Sequence, residues 1–571
     1  MSATLSSVGA ADPSIRPLLA VTVAFLGALL VAASPDRPAF REWLTVLVAL
    51  CQFGLVSSMV PAVLAGRRPV TTLGTFVPGV EFAFRADPLG LLFALVASGL
   101  WVLTTVYSVG YLRGTGGGDQ RRYYAALGIS LGAAVGVAFA TNLLVLVLFY
   151  ELMTIGTYPL VVHEETETAR RAGYEYLAYV IGGGTVALGG AVVVFHLAGD
   201  VTFVSGGVPG VEAAAATDPW LARAAFAILV VGFGVKAAVM PLHGWLPSAM
   251  VAPTPVSGIL HAVAVVKSGA FGIARVVLEV FGPETAAALG VAGALAAVAA
   301  ATIVLASLLA LGQDNLKRRL AYSTIAQLSY IVLGVSLLTP AAVTGGLVHL
   351  PAHAVAKLTL FFCAGVLYVE LGIENVSELA GVGRRLPLTM GAFAVGSLSI
   401  ATLPLFAGFV SKWHLVLGGG ALEGSGPLVL AVLVCSSVLS VAYLWPVVYA
   451  ALFETPADAD PKPVVSGPLG GRAGERSQPS AEETGARADG SVPKAADRVG
   501  PPPDASGTRA VVGPDWTPQI DRREASPSLL YPTLATAALV VAIGIVPGEL
   551  AVLELARLVA ESATGTGVLE P

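Results

Sequence analysis

Residues 342–369 read AVTGGLVHLPAHAVAKLTLFFCAGVLYV, an apolar run long enough to cross a lipid bilayer as one helix. Its basic residues, His349, His353 and Lys357, recur at every fourth position. On an α-helix, side chains four residues apart share one face and step about 6 Å along it. The run therefore predicts a membrane-spanning helix that carries a ladder of proton-binding side chains.

The composition of the whole chain agrees with a location in lipid. Of 571 residues, 55% are hydrophobic and only 12% are charged, whereas about 25% are charged in a typical soluble domain. The formal net charge of −5 leaves no basic stripe of the kind that binds nucleic acid, so we expect no nucleic-acid partner. The chain is predicted to be an all-α polytopic membrane protein.

Apolar stretches near the length of about 20 residues that a membrane helix needs occur about fourteen times. The predicted spans are 17–34, 43–64, 88–112, 122–140, 142–162, 175–197, 221–241, 256–281, 285–311, 320–338, 342–369, 388–414, 428–453 and 529–550. The first run could also be a signal peptide, but the many later spans favour an ordinary first helix.

Basic residues in the short loops predict the orientation, because they accumulate on the cytoplasmic side. Twelve lie after odd-numbered spans: Arg37, Arg41, Arg113, Arg121, Arg122, Arg170, Arg171, Lys317, Arg318, Arg319, Arg384 and Arg385. Four lie after even-numbered spans: Arg67, Arg68, Arg85 and Arg223. This bias predicts a multi-pass protein of the cell (plasma) membrane with both termini outside.

Eight ionisable side chains fall inside the apolar runs. They are Glu151, Lys236, His261, Lys267, His349, His353, Lys357 and Lys412. Each charge costs about 2.5 to 3.5 kcal/mol at the centre of a bilayer, so such residues are functional candidates by default. Any one of them could be a hydrogen-bonded structural histidine or a lysine that reaches the membrane surface. Eight together favour a proton pathway.

Two of the lysines lie beside residues that break helices. Lys236 precedes Pro241, and Lys412 follows Pro404 and Gly408. They fall in the seventh and twelfth predicted spans, and a shift of five helices reverses direction through the membrane. This pattern predicts two inverted five-helix repeats, each containing a broken helix.

The predicted division of the chain follows from these repeats. Residues 1–121 hold the first three helices, 122–281 the first half-channel and 282–454 the second. Residues 455–528 are rich in Pro, Gly, Ala and Ser and lack a periodic apolar face, which predicts a disordered cytoplasmic loop. Residues 529–571 hold the last transmembrane helix and the C-terminal tail.

The residues also suggest a mechanism. Burial disfavours the charged form of a lysine and a nearby carboxylate favours it, so a movable Glu151 would make Lys236 a switch. On separation Lys236 would release its proton toward His261 and Lys267, and the histidines would pass it to Lys412. His261 and Lys267 are six residues apart, so they need a distorted helix or separate partners.

Four long motifs resemble the antiporter-like membrane subunits shared by respiratory complex I and the Mrp-type monovalent cation/proton antiporters. They are GVKAAVMPLHGWLP (234–247), APTPVSGILHAVAVVKSG (252–269), LKRRLAYSTIAQLSY (316–330) and HLPAHAVAK (349–357). The resemblance covers roughly residues 85 to 454. It implies that Glu151 and Lys236 are the family's glutamate–lysine pair, that Lys267 and the histidines connect the half-channels, and that Lys412 is the terminal lysine.

Two positions need separate comment. His243 matches the family's Pro-Leu-His motif but lies near a helix end. Ser248 and Met250 stand where the family usually has an acidic residue and a histidine.

The resemblance leaves two functions open. The first is the D-type subunit of an Mrp-like antiporter, a secondary transporter that exchanges protons for Na⁺ within a hetero-oligomeric membrane complex. The alternative is a proton-pumping subunit of a complex I-like NADH:quinone oxidoreductase or a membrane-bound hydrogenase, which would be a translocase subunit without its own redox centre. A scaffold with a degenerate channel is disfavoured because every expected ionisable position is filled.

The sequence has no cysteine cluster, haem-attachment motif or dinucleotide fingerprint, so we expect no cofactor. It assigns no metal site.

Overall fold

The computed structural model describes residues 11–455 and 524–565. Most of the segment expected to be a disordered loop, residues 456–523, lies outside the described residues, so that expectation stays a prediction. The described part folds mainly into α-helices. They are α1 Arg16–Ala32, α2 Pro38–Ser57, α3 Val60–Leu64, α4 Pro88–Thr115, α5 Gln120–Phe139, α6 Leu143–Val161, α7 Glu167–Ala198, α8 Pro209–Thr217, α9 Pro219–Lys236, α10 Trp245–Ser248, α11 Thr254–Gly258, α12 Val265–Arg275, α13 Gly282–Ala288, α14 Val291–Leu311, α15 Leu316–Ser336, α16 Pro340–Leu371, α17 Pro387–Ile400, α18 Ala407–Gly420, α19 Gly426–Phe453, α20 Pro527–Ile545 and α21 Val552–Thr564.

Within the described ranges, ten helices are long and apolar enough to cross a membrane, which supports the prediction of a polytopic membrane protein. They are Pro38–Leu64, Pro88–Thr115, Gln120–Phe139, Leu143–Val161, Glu167–Ala198, Pro219–Lys236, Val291–Leu311, Pro340–Leu371, Gly426–Phe453 and Pro527–Ile545. Two of the predicted spans, 256–281 and 388–414, are each divided between several helices. Helix α15 is long enough, but it begins with Lys317, Arg318 and Arg319 and carries polar residues along its length.

A small β-sheet shows that the expectation of an all-α fold was wrong in one region. Strands β1 Ala11–Pro13, β2 Arg68–Val77 and β3 Val80–Arg85 form it, and the central strand β2 pairs with β1 in parallel and with β3 in antiparallel orientation. The sequence between the strands, Pro78-Gly79, turns the chain, and Gly79 has a φ of +83°. Threonine, valine and phenylalanine, which favour strands, fill β2 and β3.

The two ends of the helix bundle are defined here by the hydrogen-bonded loops that lie at each of them. At one end, Arg122 at the start of α5 donates to the carbonyl of His163 after α6, and Lys317 donates to the carbonyl of Ala252. We call this end the basic face. At the other end, which we call the sheet face, Arg85 of β3 donates to the carbonyl of Phe203. The loops expected to be cytoplasmic include those of the basic face.

Two helices stop in the middle of predicted spans. Helix α9 ends at Lys236, and a turn with Ala238 at a φ of +55° leads to α10. Helix α17 ends at Ile400, and a turn with Thr402 and Leu405 at positive φ leads to α18. Non-glycine residues rarely adopt this conformation. These turns put free helix ends inside the protein, next to two of the predicted lysines.

A third distortion lies between α11 and α12. Residues Ile259–Val263 form a π-helical turn, and Ala264 then leaves the helix with φ −122° and ψ −68°. A π-turn inserts an extra residue and is frequent at functional sites. It changes the angular relation of His261 and Lys267, for which the spacing of six residues had predicted a distorted helix or separate partners.

Candidate functional site

The predicted side chains are buried together in the interior of the bundle. Seven of the eight expose 2% or less of their surface: Lys236, His261, Lys267, His349, His353, Lys357 and Lys412. Glu151 is partly buried. We call these eight residues the axis. Since buried charges are rare unless they are paired or hydrated, the contacts of each residue decide what the axis can do.

Lys236 closes α9 and contacts the residue before Glu151. Its ammonium group donates to the main-chain carbonyl of Tyr150 and lies 3.3 Å from the centroid of the Tyr150 ring. As the last residue of α9 it also lies at the negative end of the helix dipole. The Lys236 site is therefore built to hold a cation without a carboxylate in direct contact.

The Glu151 carboxylate is separate from this site. Among the described residues it forms no ion pair within 4.0 Å, and its Oε1 has no hydrogen-bond partner. A methyl group on Gly184 of α7 would lie 1.6 Å from Oε1. The glycine therefore makes the space that the carboxylate occupies. The predicted glutamate–lysine pair is adjacent but open in this structure.

His261 lies in the π-turn with little polar contact. Neither of its ring nitrogens has a hydrogen-bond partner among the described residues, and its ring centroid lies 5.0 Å from that of Phe361. A buried imidazole with both nitrogens free can accept or donate a proton through water.

The middle of the axis is a direct contact between two helices. Lys267 Nζ of α12 lies 3.0 Å from His353 Nδ1 of α16. The rings of His353 and His349 are 5.9 Å apart and nearly parallel, with 20° between their planes. Pro351 lies between them within α16. Its missing N–H leaves a main-chain carbonyl of the preceding turn without its helical donor.

Lys357 departs from the ladder that the sequence predicted. It lies one turn beyond His353 on α16, but its ammonium group donates to the carbonyl of Leu320 on α15 at 3.1 Å. The two histidines thus continue the axis in one direction, and Lys357 points toward the first turns of α15, where Lys317 marks the basic face.

The second broken helix receives the end of the axis. His349 Nδ1 lies 2.8 Å from the Ser411 hydroxyl, and the next residue, Lys412, donates to the carbonyl of Ile400 at 3.0 Å. Ile400 is the last residue of α17, so Lys412, like Lys236, occupies the negative end of an interrupted helix. Its Nζ also lies 4.5 Å from the centroid of the Tyr330 ring.

Several polar groups beside the axis lack hydrogen-bond partners of ordinary geometry among the described residues. They are both side-chain amide atoms of Gln327, the Tyr330 hydroxyl, and the Nε2 atoms of His349 and His353. Buried polar atoms of this kind are usually satisfied by water. The sequence analysis did not name Gln327 or Tyr330, although both lie in the quoted motif 316–330.

A buried ion cluster near the sheet face was also missed. Arg275 donates to both carboxylate oxygens of Asp87 at 2.9 Å and to the carboxylate of Glu279. Arg275 is fully buried, and Asp87 and Glu279 are 3% and 7% exposed. The sequence offered one sign of this cluster, because Arg275 and Glu279 lie four residues apart within a predicted membrane span. This bidentate arrangement fixes α12 to the start of α4.

His243 and the two positions that depart from the motif lie outside the axis. His243 lies in the turn after α9, with its ring 6.3 Å from that of Tyr322. Ser248 ends α10, and Met250 follows in a short 3₁₀ turn. No proton-transfer contact in the described residues involves these three side chains.

The sequence of this chain is similar to those of known membrane proteins. Residues 140–440 match the family described as NADH:quinone oxidoreductase/Mrp antiporter, TM. The chain is 35% identical over 388 residues to NADH-quinone oxidoreductase subunit N of Desulforudis audaxviator, covering 66% of this chain and 73% of the relative. It is 31% identical over 388 residues to Na⁺/H⁺ antiporter subunit A1 of Staphylococcus aureus, covering 65% of this chain but 47% of the relative.

A solved structure has the same fold. The superposition with a chain of the Mrp complex from Dietzia sp. DQ12-45-1b has a TM-score of 0.75 at 22% identity and covers 96% of this chain and 97% of that one. The sequence match, the buried axis and the shared fold agree with one another. This chain belongs to the NADH:quinone oxidoreductase/Mrp antiporter transmembrane family.

Proposed function

We propose that this chain is the proton-translocating subunit of a multi-subunit antiporter that exchanges protons for Na⁺ or another monovalent cation. The observation that carries the proposal is the series of buried basic side chains from Lys236 to Lys412, with the direct Lys267–His353 contact at its centre. The similarity to a Na⁺/H⁺ antiporter subunit supports the choice of an antiporter.

The pathway uses groups that hold protons in different surroundings. Lys236 binds a proton beside the Tyr150 carbonyl. Approach of the Glu151 carboxylate stabilises the ammonium form and withdrawal destabilises it. The released proton passes through water to His261 and Lys267, then through His353 and His349 to Lys412. The free imidazole nitrogens along this route accept and donate in turn.

The proposal includes an arrangement in the membrane. Residues 122–281 and 282–454 form two half-channels related by an inverted repeat, each with one broken helix. The chain spans the plasma membrane about fourteen times with both termini outside and the basic face in the cytoplasm. The two lysines at the interrupted helices α9 and α17 support this repeat. Other membrane subunits complete the assembly.

A second candidate function is supported by the relative from Desulforudis audaxviator. In a complex I-like oxidoreductase the same axis would be driven by redox reactions in other subunits. In that case the chain would be a translocase subunit, and the electron carriers would belong to its partners.

One experiment separates the two functions. Inverted vesicles that contain the native assembly receive either a sodium pulse or NADH, and internal pH is recorded. An antiporter gives a pH change with sodium alone, and Lys236→Met abolishes it, whereas Arg67→Gln on the exposed surface leaves it unchanged. Flux that requires NADH and quinone supports the second function. Flux that persists in Lys236→Met and in Glu151→Gln contradicts both functions and supports a scaffold.

A further inference from the structure

A polar cavity opens at the basic face, away from the axis. Its volume is about 490 Å³, and it lies between the end of α4, the start of α5 and the turn after α6. Its wall includes Tyr111, Asp119, Arg122, His163, Glu164 and Pro253. We call this cavity the vestibule. None of its residues has a place in the proton pathway described above.

The vestibule carries an excess of negative charge. Arg122 pairs with the Glu165 carboxylate and donates to the carbonyl of His163 at 3.0 Å, so its own charge is compensated. Asp119 and Glu164 add two further carboxylates to the wall, and Lys317 lies close enough to Glu164 to oppose part of its charge. The lining itself still holds more carboxylates than cations, which favours protons over anions in the cavity.

His163 is the basic group of the vestibule wall that can change its protonation state near neutral pH. It is 7% exposed, and neither ring nitrogen has a hydrogen-bond partner of ordinary geometry among the described residues. Gly118, with a φ of +53°, leaves room for the ring, since a methyl group there would lie 3.0 Å from Nε2. The Tyr123 ring packs against it at 5.2 Å between centroids.

The charges around His163 keep it neutral at rest. Burial lowers the pKa of His163, and Arg122 lowers it further, while the backbone of Gly117, Asp119 and Glu165 oppose this shift. A neutral imidazole at the mouth of an acidic cavity accepts a proton from hydronium or from a buffer acid, and then readily gives it up.

One hydroxyl contact extends from the vestibule wall toward the helix that carries His261. The Tyr111 hydroxyl lies 3.5 Å from the Thr254 hydroxyl. Thr254 begins α11, which continues into the π-turn that contains His261. From Thr254 to His261 the helix rises about 10 Å, and proton transfer over this distance needs water between the two residues.

We propose that the vestibule is the port through which protons from water at the basic face reach the axis at His261, with His163 as the accepting group. The proton binds a free nitrogen of the His163 ring, and the imidazolium returns it to water beside Tyr111 and Thr254. This inference rests on the proposed function, because it needs an axis that conducts protons.

The test uses the intact assembly in proteoliposomes, with proton flux measured from the basic-face side in weakly buffered medium. His163→Gln slows the flux about tenfold, and imidazole added on that side alone restores it. His196→Gln is the matched control. His196 lies exposed in the last turn of α7, near the sheet face, and its replacement leaves the flux unchanged.

Two further measurements keep the outcomes distinct. Flux that depends on protonated His163 falls as the pH of the basic-face side rises through a value below the ordinary histidine pKa of about 6.5, and His163→Gln removes this step. Tyr111→Phe, which deletes only a hydroxyl, slows the flux even where His163→Gln assembles poorly.

Unchanged flux in both variants, with full loss in Lys236→Met, overturns the port and leaves the proposed function standing. Full flux in Lys236→Met overturns the proposed function and the port together.

Discussion

Lys267 and His353 meet at 3.0 Å between Nζ and Nδ1, although they are 86 residues apart in the sequence. The contact joins α12, which lies within the first predicted half-channel, to α16 of the second. A lysine that is protonated donates to Nδ1, which leaves the proton of a neutral His353 on Nε2. In the proposed pathway, this pair is the point at which a proton passes from one helix to the other.

The Lys267–His353 contact predicts a large effect of its removal. His353→Gln keeps a polar side chain but cannot carry a proton at this position, so we expect proton flux through the intact assembly to fall at least about tenfold. The flux is measured in vesicles, with His196→Gln as the control. His353 links Lys267 to His349 in the proposed pathway. Flux close to that of the unmodified protein would therefore mean that protons bypass the Lys267–His353 contact.

The glycine beside Glu151 predicts a second effect. Gly184→Ala places a methyl group where the Glu151 carboxylate lies, and overpacking of this kind costs about 1–3 kcal/mol. We expect displacement of the carboxylate, a lower melting temperature and reduced proton flux. Gly182→Ala is the matched control, because it lies in the same helix and its methyl group meets no atom within 4 Å. Equal flux in the two variants would show that transport does not need the Glu151 carboxylate to occupy the space beside Gly184.

The Arg275 cluster predicts a loss of stability rather than a specific loss of flux. Arg275→Met leaves Asp87 and Glu279 buried without their main cation, which costs about 3–5 kcal/mol. We expect a markedly lower melting temperature of the detergent-solubilised assembly. Replacing all three side chains with neutral ones, Arg275→Met with Asp87→Asn and Glu279→Gln, should recover part of the loss. No recovery would show that the cluster contributes more than charge compensation.

A carboxylate from the far end of the chain caps α17. Glu524 accepts hydrogen bonds from the backbone N–H of Leu388 and from the backbone and hydroxyl groups of Thr389. Loss of an N-terminal cap costs about 1 kcal/mol, so Glu524→Ala should lower the melting temperature of a chain of this size by about 1 °C while flux is retained. Glu549→Ala, at an exposed position, serves as the comparison. A loss of flux in Glu524→Ala would indicate that α17 must be held in place during transport.

The sequence was most informative where a lysine without a nearby opposite charge lay in an apolar run. Lys236, Lys267 and Lys412 were identifiable because lipid offers a lysine so few partners, and their burial in the structure follows from the same reasoning. Their roles in proton transfer stay predictions. Arg275 did not stand out in the sequence because Glu279 lies four residues away, and a pair with this spacing resembles ordinary helix stabilisation.

Other features of the structure depend on individual side-chain and backbone contacts, which a hydropathy pattern does not predict. Periodicity predicts which face of α16 carries Lys357, but the side chain is long enough to reach the Leu320 carbonyl instead of His353. The open Glu151–Lys236 pair depends on the Tyr150 carbonyl as a competing acceptor. The sheet of β1, β2 and β3 was not predicted, because hydropathy marks the segment between the second and third predicted spans only as a connection between helices.

The axis holds four lysines and three histidines against a single carboxylate, Glu151. Two like charges about 8 Å apart, at an effective dielectric constant of about 20, repel each other by about 2 kcal/mol. Repulsion of this size opposes full protonation, and each added proton lowers the proton affinity of its neighbours. In the proposed pathway, a proton that enters at one end therefore promotes the release of a proton at the other. Directional transport then needs a gate at one end, and in the proposed pathway the Glu151–Lys236 pair, which is open in this structure, takes that role.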